Sequence, residues 1–358
     1  MHPRRPLHLR GPRRRTRTTV ALASALLLAL TACSSEDAGP ELELSAAVPD
    51  EVPDGTVLRV GDPATEVALE LSGLDEELEG IDIEWANISG GPKTLEAFRA
   101  DALDVGAVAD IPPLFAQWTG TDVKIVAARE TVDPLEHPTY ELGVAPGVDV
   151  KELSDLEGKT IAYSPGQAQG ALVLRVLAEA GLTQDDVELV EMASVDDVYV
   201  NALGSKQVEV APLGQALAAP YLAKYGDDGG TTIAPGVRDD WWTLYAPVET
   251  VKDAAKAAAL KKYVAVWAEA AQWISEHPDE FAQGYYVEHE GLPLEDAKAI
   301  VEALGTYSVP TSWDQVIEAH QATADLLAEE QGHDELDVED LWDRRYEEAI
   351  AAAVGGTS

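Results

Sequence analysis

Three short segments carry residue types that could hold a small anion. Gly90-Gly91-Pro92-Lys93-Thr94 sets two glycines ahead of a proline. Glycine lets the backbone approach a ligand closely, and proline suits the first turn of a helix. Asp110-Ile111-Pro112 and Ser164-Pro165-Gly166-Gln167 are built the same way, from a short polar residue and turn-forming neighbours. A helix start offers unpaired N–H groups and a partial positive charge, so each segment is a candidate oxyanion cradle. Taken singly, each is equally a plain helix cap. Lys93 adds a positive charge at the first junction or is a surface lysine. The Asp110 carboxylate would repel an anion, so its expected role is positional, as the cap of its own helix. Catalytic signatures are missing: no Gly-x-Ser-x-Gly, phosphate loop, His-Glu-x-x-His or cysteine nucleophile. The expectation is a binder, not an enzyme, with no metal and no cofactor.

The elements around these segments alternate. TVLRVG, IDIEWANI, LDVGAV and VKIVAA read as strands, separated by helical stretches over 64–77, from Pro92, and over 112–118. A second series begins after Pro146: KTIAYS, VELVEM and QVEVA are strands, with helices from GALVLRVLAEAG and VDDVYVNAL. After about Pro247 the pattern is helical. Over 254–276, Leu260, Val264, Trp267, Ala271 and Ile274 recur at helical spacing and read as core. Such βα alternation predicts an α/β fold with mostly parallel sheets. About 300 residues exceed one ordinary core. Two hinged lobes are therefore expected: lobe 1 over 56–145, lobe 2 over 146–236, and a return to lobe 1 with a helical tail over 237–358. The crossings are expected near residues 142–148 and 234–245. All three junctions follow strands, at the carboxyl ends where open α/β sheets bind ligands. Trp241 and Trp242 follow the second crossing and either cover a ligand tail or pack.

The N-terminus is distinctive. Residues 1–19 hold seven arginines and no acid, and VALASALLLAL follows. A basic region, a short apolar run and small residues make a secretory signal, too short for a spanning helix. Leu30-Thr31-Ala32-Cys33 resembles a bacterial lipobox, which implies cleavage after residue 32 and lipid on Cys33. This is the only cysteine of the chain. Arg13-Arg14-Arg15 leaves the general and twin-arginine export routes both open. Serines, acids and prolines over 33–55 read as a flexible tether. The expected location is the outer face of the cytoplasmic membrane, held by lipid.

The chain has 65 acidic and 25 basic residues, a net charge of −40. Seven of those basic residues and none of the acids precede residue 33, so the exported chain carries −47. This charge excludes nucleic-acid binding, which needs clustered Lys and Arg, and reads as a solvated surface. An anionic ligand would then need local positive compensation.

Residues 85–128 resemble the substrate-binding proteins of the nitrate/sulfonate/taurine class of ABC importers, the aliphatic-sulfonate members above all. The resemblance rests on Gly91-Pro92, Leu95-Glu96-Ala97-Phe98, and Asp110-Ile111-Pro112-Pro113-Leu114-Phe115-Ala116-Gln117, and on the tail segment AQWISEHPDEFAQGYYVEHEGLPLEDAKAIV. It extends, with gaps, from Thr56 to about Glu348. It implies a periplasmic-binding-protein-like fold of type II, a monomer that captures a small organic anion such as a sulfonate, and permease and ATPase partners. Nitrate, taurine, a thiamine-precursor pyrimidine, or a role as a surface receptor remain alternatives. The chain departs from the family at Ala109, where relatives carry glycine. It departs again at Leu213-Gly214-Gln215, where sulfonate binders often carry an aromatic residue and an acid. Asp62 and Gln215 join the candidate ligand residues on that ground, and Asp62 could meet the amine of a zwitterion.

Overall fold

A computed structural model describes residues 41–239 and 241–355. Cys33, with the proposed signal over 1–32, lies outside the described residues.

The first half alternates β1 (Thr56–Gly61), α1 (Pro63–Ser72), β2 (Ile81–Trp85), α2 (Gly91–Arg99), β3 (Val105–Ala109), α3 (Ile111–Trp118) and β4 (Val123–Thr131). The second series is β5 (Tyr140–Val144), β6 (Thr160–Tyr163), α4 (Ala168–Glu179), β7 (Glu188–Glu191), α5 (Val198–Gly204), β8 (Val210–Gly214), α6 (Gln215–Tyr225) and β9 (Thr231–Ile233). The chain returns with β10 (Trp242–Pro247). Its tail holds α7 (Val248–Lys252), α8 (Ala254–Glu276), α9 (Pro278–Phe281), a π-helical stretch Ala282–His289, α10 (Leu294–Leu304), β11 (Tyr307–Ser308), α11 (Asp314–Gln331) and α12 (Glu347–Gly355). None of the described helices is long and apolar enough to cross a membrane.

Two sheets result, ordered β11-β4-β10-β3-β1-β2 and β7-β6-β8-β5-β9. In the first, β2, β1 and β3 are parallel, and β10 runs antiparallel between β3 and β4. The carboxyl ends of β1, β3 and β4 therefore share one edge. In the second, β5 runs antiparallel to β8 and β9. β5 starts at Tyr140, so the chain has left the first sheet before residues 142–148. The mixed ELGV run hides the strand, because it supplies one short stretch with no flanking helix to complete a βα pattern. The return falls between β9 and β10.

Local chemistry sets the helix limits. The helix expected over 64–77 ends at Ser72, because Gly73 takes a left-handed φ of 77° and its N–H closes on the Leu69 carbonyl. A 3₁₀ turn, Leu74–Leu78, follows. In α8, Leu260, Val264, Trp267, Ala271 and Ile274 all face the core, as their spacing predicts. The tether expected over 33–55 is shorter than its composition suggests. From residue 41 the chain is docked: Val48 is buried, Leu42 and Leu44 pack on the core, and the Leu42 N–H donates to Lys252 O at 2.6 Å. Lys261 pairs with Asp50. Widely spaced apolar residues among acids are enough to anchor an extended segment, although they show no helical or strand period.

Candidate ligand-binding site

A cleft of about 750 Å³ lies where the two sheets face each other. Gly91, Pro92 and Pro112 come from the first sheet's junctions, and Ser164, Gly166 and Gln167 from the second. The structure thus brings six of the sequence-predicted residues onto one cavity. The helix starts there are open. Gly90, at φ 82°, caps α2 without a side chain. Neither Asp110 nor Gln167 bonds its own helix start through its side chain. Ser164 is buried, and its hydroxyl has no partner of good geometry. Gln167 instead braces the cleft wall: its Nε2 donates to Ser194 O at 3.1 Å, and its Oε1 accepts from Ser194 N at 2.9 Å.

The rest of the wall escaped sequence inspection. Leu95, Phe115 and Met192 give it apolar area, and Arg99 and Glu191 give it one charge of each sign. The Arg99 guanidinium is oriented by Thr119 Oγ1 at 2.7 Å and Thr121 Oγ1 at 3.0 Å. Arg99 is the last residue of α2, and its place in a cleft that also holds Ser164–Gln167 depends on how the two sheets pack. No sequence pattern records that.

The remaining predicted residues sit elsewhere. Thr94 is buried and donates through Oγ1 to Gly90 O at 3.0 Å, which tightens the first turn. Lys93 is exposed and Ile111 is core. Gln215 opens α6, with Nε2 on Pro138 O at 2.8 Å. Trp241 is buried under the Arg238 guanidinium, 4.1 Å from its centroid. Trp242 faces Arg129.

Asp62 and Asp110 depart from expectation. Asp62 is 5% exposed and caps α1, accepting from Thr65 N at 3.2 Å, Thr65 Oγ1 at 2.7 Å and Trp267 Nε1 at 3.0 Å. Its carboxylate is spent inside the fold and does not stand ready for an incoming amine. Burial pushes its pKa up, against the pull of Arg129. Asp110 does not cap its helix through its side chain. Its carboxylate meets Arg175 of α4 at 3.5 Å, and its carbonyl accepts from His320. The cause is tertiary, because α4 and α11 bring these groups against the junction.

His320 is 1% exposed. Trp342 Nε1 donates to its Nδ1 at 3.3 Å, so Nε2 carries the proton and donates to Asp110 O at 2.8 Å. Burial lowers its pKa below 6.5. The folded state therefore binds this proton less well than the unfolded chain. Its contribution to stability is complete above about pH 6.5 and declines as the pH falls below that value. Urea titrations of wild type and His320→Gln should diverge at pH 7 and converge toward pH 5, by about 1 kcal/mol per pH unit. A gap that stays constant with pH would show that His320 is not held neutral.

Comparison with known proteins adds lineage. A protein of Escherichia coli K12 named for aliphatic sulfonate binding is 33% identical over 114 residues, 32% of this chain and 34% of that protein. This alignment spans about a third of the relative's length. A Bacillus subtilis 168 protein of the same name is 26% identical over 279 residues, 75% of this chain and 79% of that protein. The fold matches the alkanesulfonate-binding protein of Xanthomonas axonopodis pv. citri, solved with MOPS. The TM-score is 0.66 at 22% identity, covering 83% of this chain and 99% of that one. Two sheets facing across a cleft, with a helical tail, are thus the two-lobed periplasmic-binding-protein-like architecture. Residues 77–281, more than half of the chain, match the NMT1/THI5-like family, and the chain belongs to it.

Proposed function

We propose that this protein is the extracytoplasmic solute-binding component of an ABC importer. It captures a small organic anion, an aliphatic sulfonate in the first instance, by closing its two lobes, and delivers it to a permease. The observation that carries this reading is the convergence of helix starts from both sheets on one cleft. A sulfonate presents three acceptor oxygens, and the N–H groups at helix starts are ready donors to such oxygens. The relatives' names support the same class. The apolar wall of Leu95, Phe115 and Met192 favours a ligand with an organic body over bare nitrate. Lipid on Cys33 holds the molecule, as a monomer, at the outer face of the cytoplasmic membrane. Its action is binding without chemical turnover.

Calorimetric titration of the full chain with alkanesulfonates, MOPS, taurine, nitrate and an aminopyrimidine tests the proposal. Saturable micromolar or tighter binding of a sulfonate, with the solute recovered unchanged, is the expected result. A response to the pyrimidine alone would keep the fold and replace the ligand class. Recovery of a converted product would replace binding with catalysis.

A further inference from the structure

Arg129 lies at the carboxyl end of β4, in register with Trp242 of β10 and, beyond it, Ala109 of β3. It is therefore on the edge that carries Asp62 and Asp110. It is 8% exposed, and its Nε is buried with no hydrogen-bond partner. Among the described residues it makes no ion pair within 4 Å. Asp62, the carboxylate whose charge it favours, spends its oxygens on Thr65 and Trp267. A buried cation without an acceptor is costly, and proteins rarely keep one unless something comes to meet it.

Three rings surround the guanidinium. Its centre lies 4.3 Å from the Tyr307 centroid, 5.4 Å from Trp267 and 5.7 Å from Trp242. Aromatic faces attract the cation and fix its plane, but they accept no conventional hydrogen bond from its edge. The in-plane N–H fork is left oriented and unused. Trp267 is buried, whereas Trp242 and Tyr307 are only half-buried, so the cage opens on their side.

We propose that Arg129 is the anion anchor of the protein: its in-plane N–H groups take the carboxylate or sulfonate of the bound organic acid, while Trp242, Trp267 and Tyr307 hold the guanidinium in position. The anchor supplies the local positive charge that a chain of net charge −40 needs to hold an anion. It rests on the reading of the protein as an organic-anion binder and adds the residue that recognises the charge. Neither a glycine-rich turn nor a basic cluster marks Arg129, which shares the strand VKIVAARET with a single lysine five residues earlier.

The test uses the full chain, with benzenesulfonate, benzoate and neutral benzenesulfonamide as probes. Calorimetry gives affinity, and tryptophan emission reports on Trp242 and Trp267. Wild type should bind an anion and shift its emission, and the sulfonamide should bind at least about 30-fold more weakly. Arg129→Gln should lose about 100-fold in anion affinity and Arg129→Lys about tenfold, since lysine keeps the charge without the fork. Trp242→Phe should bind while shifting emission less. Wild type blind to both anions overturns the organic-anion reading and the anchor with it. Wild-type binding that survives within threefold in both variants overturns the anchor alone. If Arg129→Gln does not fold, Arg129→Lys decides by the same threefold limit.

Discussion

Trp267→Ala should destabilise the protein by about 4 kcal/mol in urea titration, within the usual range for deleting a buried large aromatic. Trp267 is 1% exposed, on the face of α8 that covers the first sheet. Its removal leaves a cavity too enclosed to collapse, because β1 and β4 back it and neither can move without breaking its ladder. It also strips one donor from Asp62, whose carboxylate then keeps only Thr65. Trp267→Phe separates the two contributions. It retains most of the volume and loses the N–H, so about 1–2 kcal/mol is expected. A loss below 1 kcal/mol in the alanine variant would mean that α8 is not seated on the sheet in this way.

Gly91→Val should weaken binding of the cognate anion at least about 30-fold, with a stability loss of about 2 kcal/mol. A Cβ at Gly91 would lie 2.4 Å from Pro112 Cγ and 2.7 Å from Pro112 Cβ. The proline ring has no rotamer that clears this space. The starts of α2 and α3 must part, and both line the cleft. Lys93→Ala, two residues on and exposed, should stay within threefold of wild type. Equal effects in the two variants, measured by calorimetry, would argue that the cleft tolerates movement of α2 and that its geometry does not set affinity.

Much of this molecule is legible in its sequence because its strands and helices differ in period. The four strands and three helix starts of the first half, and α8 from end to end, follow from apolar spacing and from Pro and Gly at element limits. The three junctions are legible for the same reason: Gly91-Pro92, Ile111-Pro112 and Pro165-Gly166 are punctuation. β5 and α6 are less visible. ELGV has no alternation, and Pro220 sits within α6. The site is readable only where it is made of backbone. Arg99, Phe115 and Arg129 are ordinary residues in ordinary elements, and each acquires a role from what another part of the chain brings against it. Asp62 and Asp110 show the converse. Asp62 looks like a group facing a ligand and Asp110 like the cap of its own helix, yet Trp267, Arg175 and His320 claim them from more than 60 positions away.

The grip of Arg175 on α3 and α11 has a kinetic side. From α4 it joins Asp110 and Thr323, while Tyr163 and Gln331 bond nearby and Phe115 packs so close to Gly166 that a Cβ there would lie 2.9 Å from the ring. All of these bonds are made from protein atoms. If the lobes part at these contacts, opening breaks them and shutting the empty molecule restores them. An empty protein then spends part of its time shut, and only the open fraction can admit solute. Measured affinity is reduced by that fraction, and entry is timed by how often the clasp lets go, however abundant the solute outside.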